Sequence, residues 1–138
     1  MKLAFFGTSE FAVPCLMALA REGHELALVV TQPDRPAGRG YRLAPSPVKR
    51  AAAELALPLV QPERVAEAGF AEMLWRLKPE ACVVVAFGQK ITPALLTLGG
   101  AGWLNVHGSL LPRWRGAAPV ARAIMAGDAV TGVTTMYL

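Results

Sequence analysis

The run of apolar residues at Ala81–Phe87 constrains the fold of this chain more than any other feature. It is rich in valine, a β-branched residue that favours strands. A strand that is apolar at every position has to be buried on both faces, as at the centre of a parallel sheet. Two shorter apolar runs, at 3–6 and 26–30, predict two further buried strands.

Segments with apolar residues at helical spacing lie between the apolar runs. The predicted strands are 3–6, 26–30, 59–60, 81–87, 103–107 and 132–138, and the predicted helices are 11–22, 48–57, 66–77, 93–98 and 119–126. Because parallel strands need crossover connections, this alternation predicts an α/β fold with a doubly wound, mostly parallel open sheet. We expect helices on both faces of that sheet, and the 138 residues suffice for one domain.

The turn after the first predicted strand begins at Gly7 and leads into a helix. A dinucleotide-binding turn, G-x-G-x-x-G, needs a second glycine where this chain has Ser9, so we interpret the segment as a plain strand-to-helix turn. Thr8 or Ser9 is expected to cap the helix, and Pro14 to lie in its first turn. Residues 32–47 hold four prolines and two glycines without periodicity, which predicts a long loop.

The positive charge of the chain is concentrated in that loop and the start of the next helix. The formal net charge is +4, and residues 34–50 contain five basic residues against one acid, whereas the rest has nine of each. The basic residues are Arg35, Arg39, Arg42, Lys49 and Arg50. This patch indicates a polyanionic partner such as nucleic acid or a phosphorylated ligand, although a solvated surface loop explains it equally simply.

Several other classes of protein fit the sequence poorly. No apolar run approaches the roughly 20 residues that span a membrane, and Gly7 comes too early for the core of a signal peptide. Cys15 and Cys82 lie far apart in apolar stretches, so neither a disulfide framework nor a metal site is expected. These features predict a reduced, cytoplasmic protein.

Asn105 and His107 are the strongest candidates for chemistry. They are two residues apart on a predicted strand, so their side chains share one face near its carboxyl end, where open α/β sheets bind ligands. An amide donor beside an imidazole suits a reaction that places negative charge on a carbonyl oxygen. No serine or cysteine is paired with the histidine in sequence, which favours direct transfer over an acyl-enzyme. A structural polar pair at a strand end is the alternative.

The residues around this pair resemble a known family. The sequence Asn-x-His followed by Ser-Leu-Leu-Pro at 105–112 is similar to the signature of the N10-formyltetrahydrofolate-dependent formyltransferases. The segments 31–40, 45–49 and 109–119 further resemble the branch of that family that acts on methionyl-tRNA. The resemblance covers essentially the whole chain and implies a Rossmann-like formyltransferase fold.

The resemblance implies a reaction and a set of site residues. A formyl group would pass from N10-formyltetrahydrofolate, the donor substrate, to the α-amine of methionyl initiator tRNA through a tetrahedral oxyanion, with no metal and no nicotinamide cofactor. Asn105 and His107 would be catalytic. The folate site would be lined by Ser109, Leu110, Leu111 and Pro112. The segment 86–89 resembles the loop beside the pteridine pocket of the family.

The resemblance also assigns the basic loop to tRNA. The expected contacts to the acceptor end are Arg35, Arg39, Arg42 and Lys49. The segment Arg113–Arg115 adds either a second cluster that stacks on an unpaired base or a loop anchored by a half-buried tryptophan. No membrane and no obligate protein partner are implied.

One catalytic residue of the family has no match here. Its aspartate, which pairs with the histidine, follows the strand that begins here near Gly132, and neither Asp34 nor Asp128 fits. We therefore expect residues 1–138 to be a catalytic domain cut short before that aspartate, without the C-terminal β-barrel domain of the family, and to have little activity alone. The alternatives are a formyltransferase acting on an amino-sugar nucleotide or on glycinamide ribonucleotide, and a non-catalytic RNA-binding α/β module.

Overall fold

The computed structural model describes residues 1–37 and 42–138 of the chain. The strands are β1 (Lys2–Gly7), β2 (Glu25–Val30), β3 (Arg35–Ala37), β4 (Arg42–Ala44), β5 (Leu59–Val60), β6 (Ala81–Val85), β7 (Trp103–His107) and β8 (Thr134–Tyr137). The helices are α1 (Val13–Arg21), α2 (Pro47–Glu54), α3 (Ala68–Leu77), α4 (Pro93–Leu96) and α5 (Pro119–Met125). None of the described helices is both long and apolar enough to cross a membrane.

The main sheet confirms the predicted fold class. Its strand order among the described residues is β5-β2-β1-β6-β7-β8. All neighbouring strands in it are parallel except β7 and β8, which pair antiparallel with His107 opposite Thr134. The chain thus forms an α/β, doubly wound and mostly parallel open sheet, whose described edge strand β8 reverses direction.

Strand β6 lies in the interior of the sheet, as its apolar run predicts. It pairs with β1 on one side and β7 on the other, and each of its five residues is buried. The strand ends at Val85, two residues before the predicted end at Phe87. The reason is local, since Ala86 adopts a φ of 45°, which extended backbone does not allow, and so turns the chain away from the sheet.

The two faces of the sheet are covered by different helices. On one face, Phe5 of β1 packs with Leu16 of α1 and Val48 of α2, and all three side chains are fully buried. The next residue, Phe6, points to the opposite face because side chains alternate along a strand. The prediction of helices on both faces is therefore confirmed.

Phe6 is the centre of an aromatic cluster on the second face. The centroid of its ring lies 4.8 Å from that of Trp103, 5.5 Å from that of Phe87 and 6.1 Å from that of Phe70. These distances lie in the range of favourable aromatic pairs. Because Phe70 belongs to α3, Trp103 to β7 and Phe87 to the loop after β6, the cluster joins three elements to β1.

The predicted loop over 32–47 is partly wrong. It contains β3 and β4, which pair antiparallel from Arg35 opposite Ala44 to Ala37 opposite Arg42. The alternation typical of strands is absent there, and Pro36 argues against a strand. Proline is tolerated because this hairpin is a separate two-stranded sheet in which each strand has a free edge.

The predicted caps of the first helix are also wrong. Ser9 precedes a 3₁₀ turn at Glu10–Ala12, and its side chain makes no capping hydrogen bond. The hydroxyl of Thr8 instead donates to the carbonyl oxygen of Phe87, 2.8 Å away. Pro14 does lie in the first turn of α1, as expected. The other predicted elements end within two residues of the observed bounds, except that α2 ends three residues earlier, at Glu54.

Replacing Phe6 by alanine should lower the free energy of unfolding by about 3–5 kcal/mol, because a fully buried aromatic ring is lost and a cavity remains. Urea denaturation measures the change. The matched control is Trp75→Ala, since Trp75 is 60% exposed on α3 and its loss should change the stability by less than about 0.5 kcal/mol. Equal losses for the two variants would contradict this account of the core.

Candidate active site

Asn105 and His107 lie on one face of β7 at its carboxyl end, as predicted. They continue the row that starts at Trp103, whose side chain is buried in the aromatic cluster. Both residues are only half-buried, so the side chains on this face of β7 become more accessible from Trp103 towards His107. The geometry expected from the two-residue spacing is therefore present.

Two cavities meet at this pair. Asn105 and His107 line the first, which has a volume of about 470 Å³, and the second, which has a volume of about 680 Å³. The loop 86–89 contributes to the first cavity, and Leu111, Pro112 and Arg115 contribute to the second. A group held in either cavity therefore has access to the same two side chains.

The imidazole of His107 is held by the loop that follows it. Its Nε2 lies 2.9 Å from the carbonyl oxygen of Trp114. A carbonyl oxygen only accepts, so Nε2 carries a proton and donates it to this bond. In the neutral ring Nδ1 is then the basic nitrogen, the one that can accept a proton.

The Ser109 hydroxyl holds that same loop together from within. It is fully buried and donates to the carbonyl oxygen of Arg113 at 2.6 Å. The hydroxyl of Thr134 donates to the Ser109 carbonyl at 2.7 Å and accepts from the Leu111 amide at 3.1 Å. Ser109 thus lies in the framework of the loop and lines neither cavity, which differs from the predicted place in the wall.

The other predicted folate residues divide into two groups. Leu111 and Pro112 line the second cavity, in agreement with a wall position. Leu110 lines neither cavity; it is half-exposed and packs against Gly132, where a Cβ would lie 2.6 Å from its side chain. That these residues contact folate stays a prediction.

Asp128 anchors the segment that contains Arg113 and Trp114. Its carboxylate accepts from Nε of Arg113 at 3.0 Å, from Nη2 of Arg113 at 2.5 Å and from the indole nitrogen of Trp114 at 2.6 Å. The guanidinium also lies 4.9 Å from the centroid of the indole. The Trp114 hydrogen bond and then that of Arg113 hold the pKa of Asp128 below its usual range. The loop is therefore anchored by a half-buried tryptophan, as one of the two interpretations expects, while stacking on an unpaired base stays a prediction.

Lys49, one of the predicted tRNA contacts, is bonded at the base of the hairpin of β3 and β4, which we call the basic hairpin. Lys49 Nζ lies 2.6 Å from Oδ2 of Asp34, and Gln61 donates to Oδ1 at 2.7 Å. The Lys49 bond and then the Gln61 bond hold the pKa of Asp34 below its usual value. Lys49 is therefore engaged in a half-buried ion pair, and its contact with tRNA stays a prediction.

The remaining predicted tRNA contacts have different positions. Arg35 lies in β3 and is exposed. Arg42 lies in β4, opposite Ala37. Arg39 lies outside the described residues.

The sequence indicates the segment 86–89 only through the family resemblance, and its conformation and the part of Met136 are not predicted. The loop 86–89 is left-handed at Ala86 and Gly88, with φ values of 45° and 84°, and Gln89 accepts a hydrogen bond from the Val65 amide at 2.9 Å. Met136 pairs with Asn105 across β7 and β8 and lines the second cavity. The alternation of β8 was the one available signal for Met136, whereas the hydrogen bonds of the loop join residues distant in sequence.

Comparison with known proteins relates the whole chain to one family. The family model described as formyl transferase matches residues 1–138. The chain is 53% identical to the methionyl-tRNA formyltransferase of Moorella thermoacetica and 54% identical to that of Methylococcus capsulatus, in each case over its whole length. It spans only 44% and 45%, respectively, of those two curated relatives.

Solved structures with this fold are also known. Phosphoribosylglycinamide formyltransferase from Bacillus halodurans superposes with a TM-score of 0.75 and 20% identity, covering 100% of this chain and 72% of that one. The enzyme of the same name from Streptococcus pneumoniae TIGR4 also gives 0.75 and 20% identity, covering 100% of this chain and 74% of that one. At this level of identity the likeness concerns the fold alone.

Replacing Asp128 by asparagine should lower the free energy of unfolding at pH 7, because the Arg113 guanidinium loses its charged partner. The folded pKa of Asp128 is lowered, so its stabilising effect is present above the unfolded pKa of about 3.9 and is lost as the pH falls through the folded pKa. Urea denaturation between pH 7 and pH 3 should show the parent and the variant converging at low pH.

Glu72→Gln is the control for this experiment. Glu72 forms an ion pair with Arg76 in which both side chains are more than half exposed, so its replacement should have a small effect at every pH. A stability difference for Asp128→Asn that stays constant across the pH range would contradict the proposed anchor.

Proposed function

The chain belongs to the formyl transferase family, and we propose that it transfers the formyl group of N10-formyltetrahydrofolate to the α-amine of methionyl initiator tRNA. The observation that carries this proposal is the position of Asn105 and His107 at the wall shared by two cavities. The choice of acceptor is supported by 53% and 54% identity to proteins named methionyl-tRNA formyltransferase. Because the chain spans less than half of those relatives, the reaction is proposed for an enzyme that carries this segment.

The donor is proposed to lie across Asn105 and His107. One side of its site is the loop 86–89, whose backbone turns at Ala86 and Gly88 present peptide groups beside the first cavity. The other side is the apolar wall of Leu111 and Pro112. A concave site with mostly apolar walls and a few polar groups is what a flat heterocyclic ligand needs.

The proposed chemistry uses one amide and one imidazole. The acceptor amine has a pKa of about 8 and attacks the formyl carbon once it has lost its proton. The oxygen of the resulting tetrahedral intermediate carries negative charge, which the Asn105 side-chain amide stabilises as a hydrogen-bond donor. Neutral His107 accepts the proton of the attacking amine at Nδ1. Collapse of the intermediate breaks the bond to N10 of the folate, which receives a proton.

The proposal includes the need for a further carboxylate. Neither of the two aspartates lies beside His107 among the described residues, since Asp128 is bonded to Arg113 and Trp114, and Asp34 to Lys49 and Gln61. Because Nε2 is bonded to the Trp114 carbonyl and Nδ1 takes the proton of the amine, this carboxylate would act through its charge, which favours the imidazolium that forms during proton transfer. Residues 1–138 alone are therefore expected to bind the donor but to turn over little.

The basic hairpin is proposed to contact the acceptor end of the tRNA. Arg35 is exposed there, and Arg39 and Arg42 supply further positive charge. Lys49 also fixes the base of the hairpin through its ion pair with Asp34. Phosphate contacts of this kind position a nucleic acid without reading its sequence. The proposal also implies a cytoplasmic location, where translation starts.

Titration of residues 1–138 with a reduced folate should give a saturable change in tryptophan fluorescence, because the Trp114 backbone holds His107 and the indole of Trp103 is on the same strand. Leu111→Asn should weaken this binding about tenfold by placing a polar amide in an apolar wall. Leu43→Asn is the control, since Leu43 is 71% exposed on β4. Binding of an acceptor-stem minihelix without any folate binding would favour an RNA-binding module and contradict the proposal. Rapid formyl transfer by residues 1–138 alone would contradict only the need for a further carboxylate.

Replacing Asn105 by alanine should lower kcat about 100-fold in an enzyme of the relatives' length that carries this segment, since loss of one oxyanion donor costs about 3 kcal/mol. A formyl-transfer assay under saturating folate measures the change. Folate affinity should stay within about threefold of the parent value, as expected for a group that acts mainly on the transition state. A fall in kcat of less than about tenfold would assign Asn105 a structural role.

A further inference from the structure

The carbonyl oxygen of Phe87 receives two side-chain hydrogen bonds from other parts of the chain. The hydroxyl of Thr8 donates to it at 2.8 Å, and Nε2 of Gln32 donates to it at 2.9 Å. Thr8 follows β1 and Gln32 follows β2, whereas Phe87 lies in the loop after β6. Two donors on one carbonyl use both of its lone pairs, so the Phe87 carbonyl is fully bonded.

Thr8 and Gln32 are also bonded to each other. The backbone amide of Gln32 donates to the Thr8 hydroxyl at 3.3 Å. The three residues therefore form a closed triangle in which each is bonded to the other two. The turns after three adjacent strands are joined at the edge of the sheet where Asn105 and His107 lie.

Gly88 is adapted to this triangle. A Cβ at position 88 would lie 2.1 Å from Nε2 of Gln32, and the φ of Gly88 is +84°. The backbone conformation therefore favours glycine, and a side chain at this position would displace the end of the Gln32 side chain. The loop 86–89 and the Gln32 side chain fit together as one unit.

The same glutamine is connected to the basic hairpin. Gln61 donates to the Gln32 carbonyl at 3.0 Å and to Asp34 at 2.7 Å, and Asp34 in turn accepts from Lys49 at 2.6 Å. Asp34 directly precedes β3, and Lys49 is in the first turn of α2. The hydrogen bonds thus run without interruption from the wall of the first cavity to the base of the hairpin.

We propose that Gln32 is a positioning residue, which holds the loop 86–89 of the first cavity in register with the base of the basic hairpin. Gln32 itself lines neither cavity. It acts through Phe87 and Gly88, which line the first cavity. The two binding surfaces of the proposed reaction, for folate and for the acceptor end of tRNA, then share one rigid frame. The inference rests on the proposed function for the identity of those ligands.

Loss of the Gln32 side chain has a local consequence. The Phe87 carbonyl keeps only the Thr8 bond, and the loop, with left-handed residues at Ala86 and Gly88, loses one of the contacts that hold it. Gln32 is only half-buried, so global stability should change little. The expected effect is a looser cavity wall in a folded protein.

The test compares Gln32→Ala with Thr97→Ala in residues 1–138. Thr97 is the matched control, because its hydroxyl also donates to a backbone carbonyl, that of Ala94 at 2.8 Å, but at an exposed position outside both cavities. Backbone ¹⁵N order parameters of residues 86–89 are measured without ligand, and the dissociation constant of a reduced folate by fluorescence. Gln32→Ala should lower the order parameters from about 0.85 towards 0.6 and raise the dissociation constant about tenfold.

A double-mutant cycle examines the contact itself. Gly88→Ala should weaken folate binding in the parent, where the new methyl group displaces the Gln32 amide, and less so in Gln32→Ala, where the space is free. The strain from the φ of residue 88 is present in both backgrounds and cancels. Multiplicative fold-changes in the two backgrounds would overturn the direct contact.

The outcomes separate the two proposals. If the parent binds no reduced folate but Gln32→Ala loosens residues 86–89, the proposed function fails while the positioning role stands. If folate binds and Gln32→Ala changes neither the order parameters nor the dissociation constant, the positioning role is overturned. A general loss of folding in Gln32→Ala, seen as a lowered Tm with loss of order throughout the chain, would make Gln32 a stability residue and also overturn it.

Discussion

The burial of β6 on both faces is the constraint on which the rest of the molecule depends. A strand without one polar face needs hydrogen-bonded neighbours on both edges and apolar cover above and below. Here β1 and β7 are the neighbours. The helices that pack against Phe5 of β1 cover one face of the sheet, and those that pack against Phe6 cover the other. Because these strands are parallel, their carboxyl ends meet at one edge, and the turns that follow them are close enough to bond.

That edge explains why the candidate site is made of short peptide segments rather than one long motif. Thr8, Gln32 and Phe87 each follow a different strand, and His107 ends a fourth. Their hydrogen bonds join residues up to 79 positions apart. The fold therefore determines the site in two ways, since it brings Asn105 and His107 to this edge and also brings the groups that hold the cavity wall.

Periodicity was a good guide wherever burial alone determines structure. The strand at 103–107 has the predicted bounds, and Asn105 and His107 lie on the predicted face, because alternation along a strand is a local property. Features that depend on long-range partners were not accessible in this way. Lys49 pairs with Asp34 across 15 residues, and Thr8 with Phe87 across 79. The bond of Ser109 to the Arg113 carbonyl and the hairpin of β3 and β4 are local in sequence, but they follow no apolar pattern, so periodicity does not indicate them either.

The bond between His107 and the Trp114 carbonyl has a consequence for proton transfer in the proposed reaction. With Nε2 occupied by a carbonyl that only accepts, the ring has no second exit, so it cannot conduct a proton from one side to the other. His107 therefore holds the proton for part of the reaction and does not relay it through the ring. The proton taken from the attacking amine has to leave through the same nitrogen, and the departing nitrogen of the folate is a natural recipient. Formyl transfer between two nitrogens releases no net proton once the acceptor is neutral. A single imidazole that gains and loses one proton per turnover is therefore sufficient.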